Sequence, residues 1–374
     1  MHARTTTTTT TCSMHNNGVR RPVQKYQVAI IGSGNWGSAI AKVAGENVAQ
    51  QPELFEPQVK MWMQNRDLAD IVNTRHENTK YLPGIKLPTN VIAVPDLLAT
   101  VKDAHLLVFV VPHQYVEETC RKLRGHLRPD AKAVSLIKGM SVEDGEPQLI
   151  SELINGKLSP FSPKTQPTPG GSLLDIDVSV LCGANIASEV AKGGFSEATI
   201  GYKDRQAGEV WRKLFHNPTF RINTVDDVAG VEVCGALKNV VALGAGFCDG
   251  LGLSSNTKAA VIRCGLAEMR KFAQTFFSDI NMQTFFESCG VADLIVTCFS
   301  GRNRKVSEAF VVTKKSFEAL EKDILNGQKL QGTLTAQEAH EVLEKKGLTD
   351  EFPLFRTIYQ IAFEGLAPSH ITAF

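Results

Sequence analysis

Apolar and polar positions follow two different periods along this chain, and the change of period divides it in two. From Tyr26 onward, short apolar runs are separated by stretches with helical spacing, which predicts strands that alternate with helices. Such alternation is typical of an α/β, Rossmann-type domain with a doubly wound, mostly parallel sheet. The predicted strands are Tyr26–Ile31, Val59–Met63, Val91–Val94, Leu106–Val111, Ala133–Ile137, Val178–Cys182 and Ala198–Gly201.

After Arg221–Thr224 the pattern becomes helical throughout. Glycines that follow the periodic stretches, Gly327, Gly332 and Gly347, are expected to end helices. The predicted helices are Val228–Phe247, Ala259–Phe277, Ser316–Leu325, Thr335–Lys345 and Phe352–Phe363. We therefore expect an α/β domain over residues 26–223 and an all-helical domain over residues 224–374.

Two segments lie outside this pattern. Residues 1–25 contain a run of threonines and no acidic side chain, so they are predicted to be a disordered tail with too little apolar surface to fold. Organelle targeting by this tail is the alternative, because transit peptides are also poor in acids. Residues 159–171 are rich in proline and glycine and are predicted to form a surface loop inserted in the α/β domain.

Composition limits the classes of partner. With 374 residues, 43% of them hydrophobic and 21% charged, the chain has the composition of a soluble globular protein and is long enough for two domains. The net charge of +1 gives no general attraction to nucleic acid or membranes, so a small-molecule partner is expected. No uninterrupted apolar run has membrane-spanning length, and stable membrane insertion is not expected.

Cysteine usage indicates the compartment. The eight cysteines form no C-x-x-C pair, and several lie within apolar helical patterns. They are interpreted as reduced core residues, not as a metal site or a set of disulfides. We therefore expect a cytoplasmic protein without a metal ion.

The first predicted strand runs directly into a glycine-rich turn. The small residues Ser38–Ala41 then continue as a helix. A pyrophosphate can approach a backbone only where no Cβ intervenes, and free N–H groups at a helix start bind it. The motif predicts a dinucleotide and hydride transfer, with a simple turn as the alternative. It consists of Gly32, Ser33, Gly34, Asn35, Trp36 and Gly37.

Lys238 lies among small and apolar neighbours, next to Asn239. Desolvation lowers the pKa of a lysine, which suits a general acid or base for a carbonyl oxygen. A lysine that extends out of the end of a core helix is the alternative. Asp293 and Thr297 are four positions apart and would share one helical face, where a carboxylate could orient Lys238. Helix capping by Asp293 is the alternative there.

Two further cationic positions could bind phosphate. The cluster Gly301–Lys305 contains Arg302 and Asn303, whose side chains can donate to phosphate oxygens, although such a cluster is more often a solvated turn. Lys138 follows a predicted strand, where doubly wound sheets bind ligands. A charged strand-end residue facing water is the alternative for Lys138.

Eight segments match, in order, the motifs of one enzyme family. From about Tyr26 to about Gly365 the chain resembles the eukaryotic cytosolic NAD-dependent glycerol-3-phosphate dehydrogenases. Collinear motifs are far more specific than one glycine fingerprint. The matching segments are Gly32–Ala39, Tyr81–Gly84, Val110–Gln114, Ser135–Gly139, Gly183–Val190, Cys234–Val241, Ala292–Cys298 and Leu325–Gly332.

The resemblance implies reversible hydride transfer between NADH and dihydroxyacetone phosphate, which gives sn-glycerol 3-phosphate, and it implies a homodimer. The implied catalytic residues are Lys238 and Asp293, and the implied substrate-binding residues are Lys138, Asn239, Thr297, Arg302 and Asn303. The implied cofactor-binding residues are Gly32, Ser33, Gly34, Asn35, Trp36, Gly37, Tyr115, Ala187, Arg302, Lys329 and Gln331. Tyr115 stands where the family usually has phenylalanine, and Lys329 and Gln331 are expected in a glycine-bounded loop that closes on the cofactor.

The match departs from the family after the second predicted strand. The family usually has a phenylalanine and glutamates there, whereas this chain has Gln64, Asn65 and Arg66. An acid at this place normally accepts from the ribose 2′-hydroxyl, and Arg66 could pair with a 2′-phosphate instead, so the choice between NAD and NADP stays open.

Two other functions fit parts of the pattern. A dehydrogenase of the same two-domain plan could act on a 3-hydroxy acid, with a cation facing a carboxylate. A catalytically silent NADH sensor or scaffold could retain the fold. The presence of both Lys238 and Asn303 favours an active dehydrogenase over the silent protein.

Overall fold

The computed structural model describes residues 24–158 and 176–374. The predicted tail lies outside the described residues except for Gln24 and Lys25, and the predicted loop insertion at 159–171 lies wholly outside them. What was predicted of these two segments therefore stays a prediction.

One large sheet organises the first part of the chain. Its strand order is β10-β9-β8-β5-β4-β1-β2-β3, and every neighbouring pair is parallel except β8 and β9. A separate antiparallel hairpin, β6–β7, was not predicted because its strands carry polar residues. The strands are β1 Tyr26–Ile31, β2 Phe55–Trp62, β3 Val91–Val94, β4 Leu106–Phe109, β5 Lys132–Ser135, β6 Met140–Glu143, β7 Glu146–Leu149, β8 Val178–Cys182, β9 Ser196–Gly201 and β10 Phe220–Val225.

Helices cover both faces of this sheet. On β1, Val28 and Ile30 pack into one apolar layer, whereas the alternate residues Ala29 and Ile31 pack into another. A strand buried on both faces needs a continuous apolar run, which explains the sequence of β1. The helices of this part are α1 Asn35–Gln50, α2 Arg66–Arg75, α3 Leu97–Val101, α4 Val116–Leu123, α5 Ile150–Leu158, α6 Ala187–Ala191 and α7 Arg205–Phe215.

The rest of the described chain is helical and surrounds one helix, α8 (Val228–Gly250). By length and composition alone α8 could cross a membrane, but 94% of its most apolar window is buried inside the protein. Gly246 allows close packing, because a Cβ there would lie 2.3 Å from the carbonyl oxygen of Arg304. The remaining helices are α9 Ser255–Phe276, α10 Asp293–Ser300, α11 Arg302–Thr313, α12 Phe317–Leu325, α13 Gln331–Lys345 and α14 Pro353–Phe363.

The predicted fold class is confirmed, and several predicted boundaries are wrong. Strand β2 begins at Phe55, four residues before the predicted start, because Phe55 is the one buried residue in its first half, which therefore lacks an apolar run. For Gly301–Lys305 a solvated turn was the alternative, and the structure has Gly301 as the N-cap and Arg302–Lys305 as the first turn of α11. Gly332 does not end a helix, since α13 begins one residue before it at Gln331.

The parallel strands β1, β4, β5 and β8 end at one edge of the sheet, which we call the carboxyl edge. Helix α8 packs against this edge at Gly235, where a Cβ would lie 2.9 Å from the sulfur of Cys182. The helical part therefore lies directly over the place where α/β sheets bind ligands.

Candidate functional site

The glycine turn occupies the carboxyl edge after β1. Gly32 has a φ of +124°, and a Cβ there would lie 2.9 Å from the backbone carbonyl of Val110. A Cβ at Gly37 would lie 2.4 Å from the carbonyl oxygen of Gly32. Only glycine fits these two positions, so the turn is held tightly against the end of β4.

Helix α1 begins with its N–H groups open. Its N-cap residue Gly34 supplies no side-chain cap, and the first turn contains no acid. A Cβ at Gly34 would meet no atom within 4 Å, so space lies in front of the helix start. Asn35 is exposed and Trp36 packs edge-to-face on Phe220. Open N–H groups at a helix N-terminus fit the pyrophosphate of a dinucleotide.

Asn78 supports the glycine turn, and sequence reasoning missed it. Its side-chain amide is fully buried and donates to the carbonyl oxygen of Ser33 at 2.9 Å and to the hydroxyl of Ser38 at 2.8 Å. Because a buried amide without partners is costly, these bonds fix the shape of the turn. No local motif marks this support of the turn, since the two acceptors of the Asn78 amide lie 40 or more positions away.

A second cluster joins the carboxyl edge to the helical part. The carboxylate of Asp293, 2% exposed at the start of α10, forms an ion pair with Lys238 through Oδ1. Lys138, three residues after β5, donates to Oδ2 at 3.0 Å and to the carbonyl oxygen of Gly183 at 3.1 Å. Lys238 is 4% exposed in the middle of α8, so it does not extend out of a helix end. Lys138 likewise faces the cluster rather than open water.

Two further donors complete the surroundings of Asp293. The hydroxyl of Thr297 lies 3.4 Å from Oδ1, and the thiol of Cys182 lies 3.3 Å from Oδ2. A π-helical turn, Ser288–Ala292, runs directly into α10 and places Asp293 at its first position. Such turns are frequent at functional sites. The carboxylate thus binds both lysines instead of capping its own helix.

The two lysines of this cluster differ in their pKa. Burial lowers the pKa of Lys238, and the nearby ammonium of Lys138 lowers it further, although Asp293 opposes both effects. Burial also disfavours the charged form of Lys138, but the neighbouring charges, that of Asp293 first, outweigh the effect of burial and raise the pKa of Lys138. Burial likewise opposes the charge of Asp293, yet the two lysines lower its pKa. One carboxylate therefore pairs with two ammonium groups, and of the two lysines Lys238 has the lowered pKa.

A chain of buried amides lies beside the lysines. Asn239, next to Lys238, accepts from the side-chain amide of Asn303 at 2.8 Å. Asn303 in turn accepts from the backbone N–H of Gly332 at 2.8 Å. A Cβ at Gly332 would lie 2.7 Å from the carbonyl oxygen of Asn239, so only glycine allows this approach. Three separate helices, α8, α11 and α13, meet at this point.

The remaining candidates lie toward solvent. Arg302 is the exposed first residue of α11, and its guanidinium donates to Gln328 at 3.2 Å. Lys329 forms an ion pair with Glu321 and leaves 78% of its side chain exposed. Gln331 was expected in a loop, but it is the first residue of α13, and its amide lies 3.3 Å from the Cβ position of Gly139.

Two cofactor-binding candidates lie apart from the lysine cluster. Tyr115 ends a 3₁₀ turn after β4 and is 51% exposed. Ala187 starts α6 and packs with Ala39 of α1 and with Leu82. Ala187 therefore lies beside the helix that follows the glycine turn.

Comparison with known proteins decides the family. Family models described as the N-terminus and the C-terminus of NAD-dependent glycerol-3-phosphate dehydrogenase match residues 27–208 and 227–373. The chain belongs to the NAD-dependent glycerol-3-phosphate dehydrogenases. It is 54% identical to cytoplasmic glycerol-3-phosphate dehydrogenase [NAD(+)] of Homo sapiens and of Pongo abelii, over 91% of this chain and 94% of each relative.

Solved structures of other glycerol-3-phosphate dehydrogenases share the fold. The Saccharomyces cerevisiae enzyme is 42% identical, with a TM-score of 0.85 over 94% of this chain and 99% of that chain. The Plasmodium falciparum enzyme is 43% identical, with a TM-score of 0.85 over 93% of this chain and 94% of that one.

The cofactor of this glycerol-3-phosphate dehydrogenase is NAD, and the geometry of the glycine turn fits it. The turn offers open N–H groups at the start of α1, and the lysine cluster lies farther along the same carboxyl edge. A dinucleotide bound at the turn therefore has an edge of the sheet along which it can extend toward Lys238.

Proposed function

We propose that Lys238 is the proton donor and acceptor in the reversible interconversion of dihydroxyacetone phosphate and sn-glycerol 3-phosphate. NADH supplies the hydride to the carbonyl carbon when it is bound. Lys238 donates a proton from Nζ to the carbonyl oxygen in reduction and takes it back in oxidation. Asp293 holds the ammonium of Lys238 in place through their ion pair.

The phosphorylated substrate is proposed to lie between Lys238 and the start of α11. Arg302 and Asn303 are the first two residues of that helix, where open N–H groups and a guanidinium favour an anion. Lys138 would contribute a second cation, and Asn239 and Thr297 would donate hydrogen bonds. Binding the remote phosphate would orient the carbonyl for reaction at Lys238.

The cofactor is proposed to bind along the carboxyl edge. Gly32, Ser33, Gly34, Asn35, Trp36 and Gly37 would hold its pyrophosphate at the start of α1. Tyr115 and Ala187 would flank the nucleotide, and Arg302, Lys329 and Gln331 would approach its nicotinamide end. The position of Gln331 beside Gly139 supports this assignment, because it brings α13 to the carboxyl edge.

The observation that carries the proposal is the buried carboxylate of Asp293 with a lysine on each oxygen. Burial of charged groups is costly, and in this cluster each ammonium is paired with the same carboxylate. Lys138 of this cluster follows β5 at the carboxyl edge, and Asp293 lies on α10, the helix directly before the cationic start of α11.

A pair of variants in the same helical turn tests the substrate assignment. Arg302→Ala is expected to raise the KM for dihydroxyacetone phosphate by about a hundredfold, since a charged hydrogen-bond donor to phosphate is lost. Lys305→Ala, an exposed cation of the same turn, is expected to change it less than about twofold. Equal effects of the two variants, or turnover of a 3-hydroxy acid in place of the phosphorylated ketone, would contradict the proposal.

Three broader features belong to the same proposal. The NAD-binding domain would cover residues 26–223 and the catalytic helical domain residues 224–374, a division that falls inside β10 (Phe220–Val225), shortly before α8 begins at Val228. The enzyme would act in the cytoplasm, as the names of its relatives state for them. It would be a homodimer, for which sedimentation should give about twice the chain mass of 40.8 kDa.

A further inference from the structure

The backbone after β2 runs beside the glycine turn. Strands β1 and β2 are parallel neighbours, and Ile31 pairs with Trp62 at their carboxyl ends. The residue after Ile31 is Gly32, so the chain after Trp62 leaves the sheet next to the turn. In a dinucleotide-binding sheet this place faces the adenosine ribose.

The side chains at this place carry no acid before α2. Met63 is buried, whereas Gln64, Asn65 and Arg66 are exposed. Asn65 is occupied as the N-cap of α2, since its side chain accepts from the N–H of Leu68 at 2.8 Å. Within the described parts of the chain, Arg66 has no ion-pair partner, so its guanidinium is free to bind a ligand.

The first carboxylate, Asp67, stands one position farther into α2. Successive residues of a helix point about 100° apart, so Arg66 and Asp67 do not face the same direction. An acid in the first turn of a helix is also stabilised there by the free N–H groups. Stabilisation of the start of α2 therefore explains the position of Asp67 without a contact to the ribose.

We propose that this enzyme also binds NADPH, with Arg66 holding the 2′-phosphate. A carboxylate at the end of β2 accepts from a 2′-hydroxyl and repels a 2′-phosphate, and here that carboxylate is absent. A guanidinium at the N-terminus of the ten-residue helix α2 instead offers paired donors to phosphate oxygens. This inference rests on the cofactor site of the proposed function.

Direct binding of the reduced cofactors tests the inference without relying on turnover. Titration calorimetry of the intact protein with NADH and with NADPH is expected to give dissociation constants within about tenfold of each other. Arg66→Ala should weaken NADPH binding by about tenfold or more and NADH binding by less than about twofold, because only NADPH has the phosphate. NADPH binding more than about tenfold weaker than NADH binding in the unchanged protein would overturn it.

Two control variants on the same helix sharpen the result. Arg75→Ala removes an exposed cation at the far end of α2 and should change neither affinity. Asp67→Asn should leave NADH binding within about twofold. Loss of NADH binding in Asp67→Asn would show that Asp67 binds the 2′-hydroxyl. Equal weakening of NADH and NADPH binding by Arg66→Ala would show that Arg66 acts on the fold. Either result would show that the inference is wrong. If the unchanged protein binds neither NADH nor NADPH, the proposed cofactor site is wrong, and so is this inference.

Discussion

At the scale of the residue, the proposed chemistry depends on two lysines that share Asp293 and differ in their pKa. The side chain of Lys238 is 5% exposed and that of Lys138 is 28% exposed. Burial and the neighbouring ammonium of Lys138 lower the pKa of Lys238, whereas burial is outweighed at Lys138 by the charges around it, that of Asp293 first, so the pKa of Lys138 rises. Sequence reasoning named all three residues, because their motifs belong to the family.

The pH dependence of turnover should follow the lowered pKa of Lys238. Reduction of the ketone needs the protonated amine, so its rate should fall as pH rises through that pKa. Oxidation of glycerol 3-phosphate needs the neutral amine, so its rate should rise over the same range. The measurement is the initial rate in each direction from about pH 6 to about pH 10 in one buffer series. This range covers the pH values over which a lysine with a lowered pKa titrates.

The variant Asp293→Asn sharpens the pH test. It removes the negative charge that favours the ammonium, so the profile for reduction should move to lower pH. An unmoved profile would show that another group titrates.

Other contacts of the site were not predictable from the sequence. Asn78 and Cys182 bind partners 45 and 111 positions away, at Ser33 and Asp293. Nothing in their local sequence marks these contacts, because a side chain's partner in the folded chain is set by topology. A single sequence identifies motif residues but not the residues that support them.

At the scale of the element, an ion network fixes the start of α11. Asp249 at the end of α8 binds Lys258 of α9 at 2.7 Å and also binds the guanidinium of Arg304. Arg304 follows Arg302 and Asn303 in the first turn of α11. The network therefore fixes the turn of α11 that carries the proposed phosphate donors.

Asp249→Asn should act on substrate binding more than on turnover. Loss of the charge loosens Arg304, so the KM for dihydroxyacetone phosphate should rise by about tenfold while kcat stays within about threefold. Glu308→Gln, which removes the more exposed partner of Arg304, is the matched control and should leave both constants unchanged. A parallel loss of kcat and of NADH binding would instead indicate general unfolding. Steady-state kinetics and NADH titration separate these outcomes.

The elements themselves were predicted unevenly. Long apolar helices and buried strands were found because their periodicity is strong, as for α8 and β1. The hairpin β6–β7 and the helix α11 were missed, because polar strands and a basic first turn have no such periodicity. The boundary of α13 was misplaced since Gly332 is selected by its contact with Asn239 and not by a helix end.

At the scale of the whole molecule, buried polar groups join the two parts of the chain. Lys138 of the α/β part and Asp293 of the helical part meet in the site. Glu232 of α8 likewise accepts from the N–H of Ser151 at 3.2 Å and from its hydroxyl at 2.6 Å, and so caps α5. These bonds hold the helical part over the carboxyl edge.

Glu232 should make stability depend on pH. Burial raises its pKa to about 7 from 4.5, although the donors of α5 lower it. The folded state therefore binds the proton more tightly, and stability should fall as pH rises between about 4.5 and about 7, by at most about 3 kcal/mol. Glu232→Gln cannot titrate and should reduce this slope. The measurement is the free energy of unfolding of both proteins in urea at about pH 5 and about pH 8. An equal change in this free energy between the two pH values for wild type and Glu232→Gln would contradict the prediction.

The most direct test of the account is the oxidation of NADH with dihydroxyacetone phosphate by the wild-type protein and by Lys238→Met. Methionine keeps the buried volume of the side chain but cannot carry a proton. We expect a loss of about a thousandfold in kcat with NADH binding unchanged, because general acid catalysis is removed. A variant that folds, binds NADH and retains kcat within about tenfold would contradict the assigned role of Lys238.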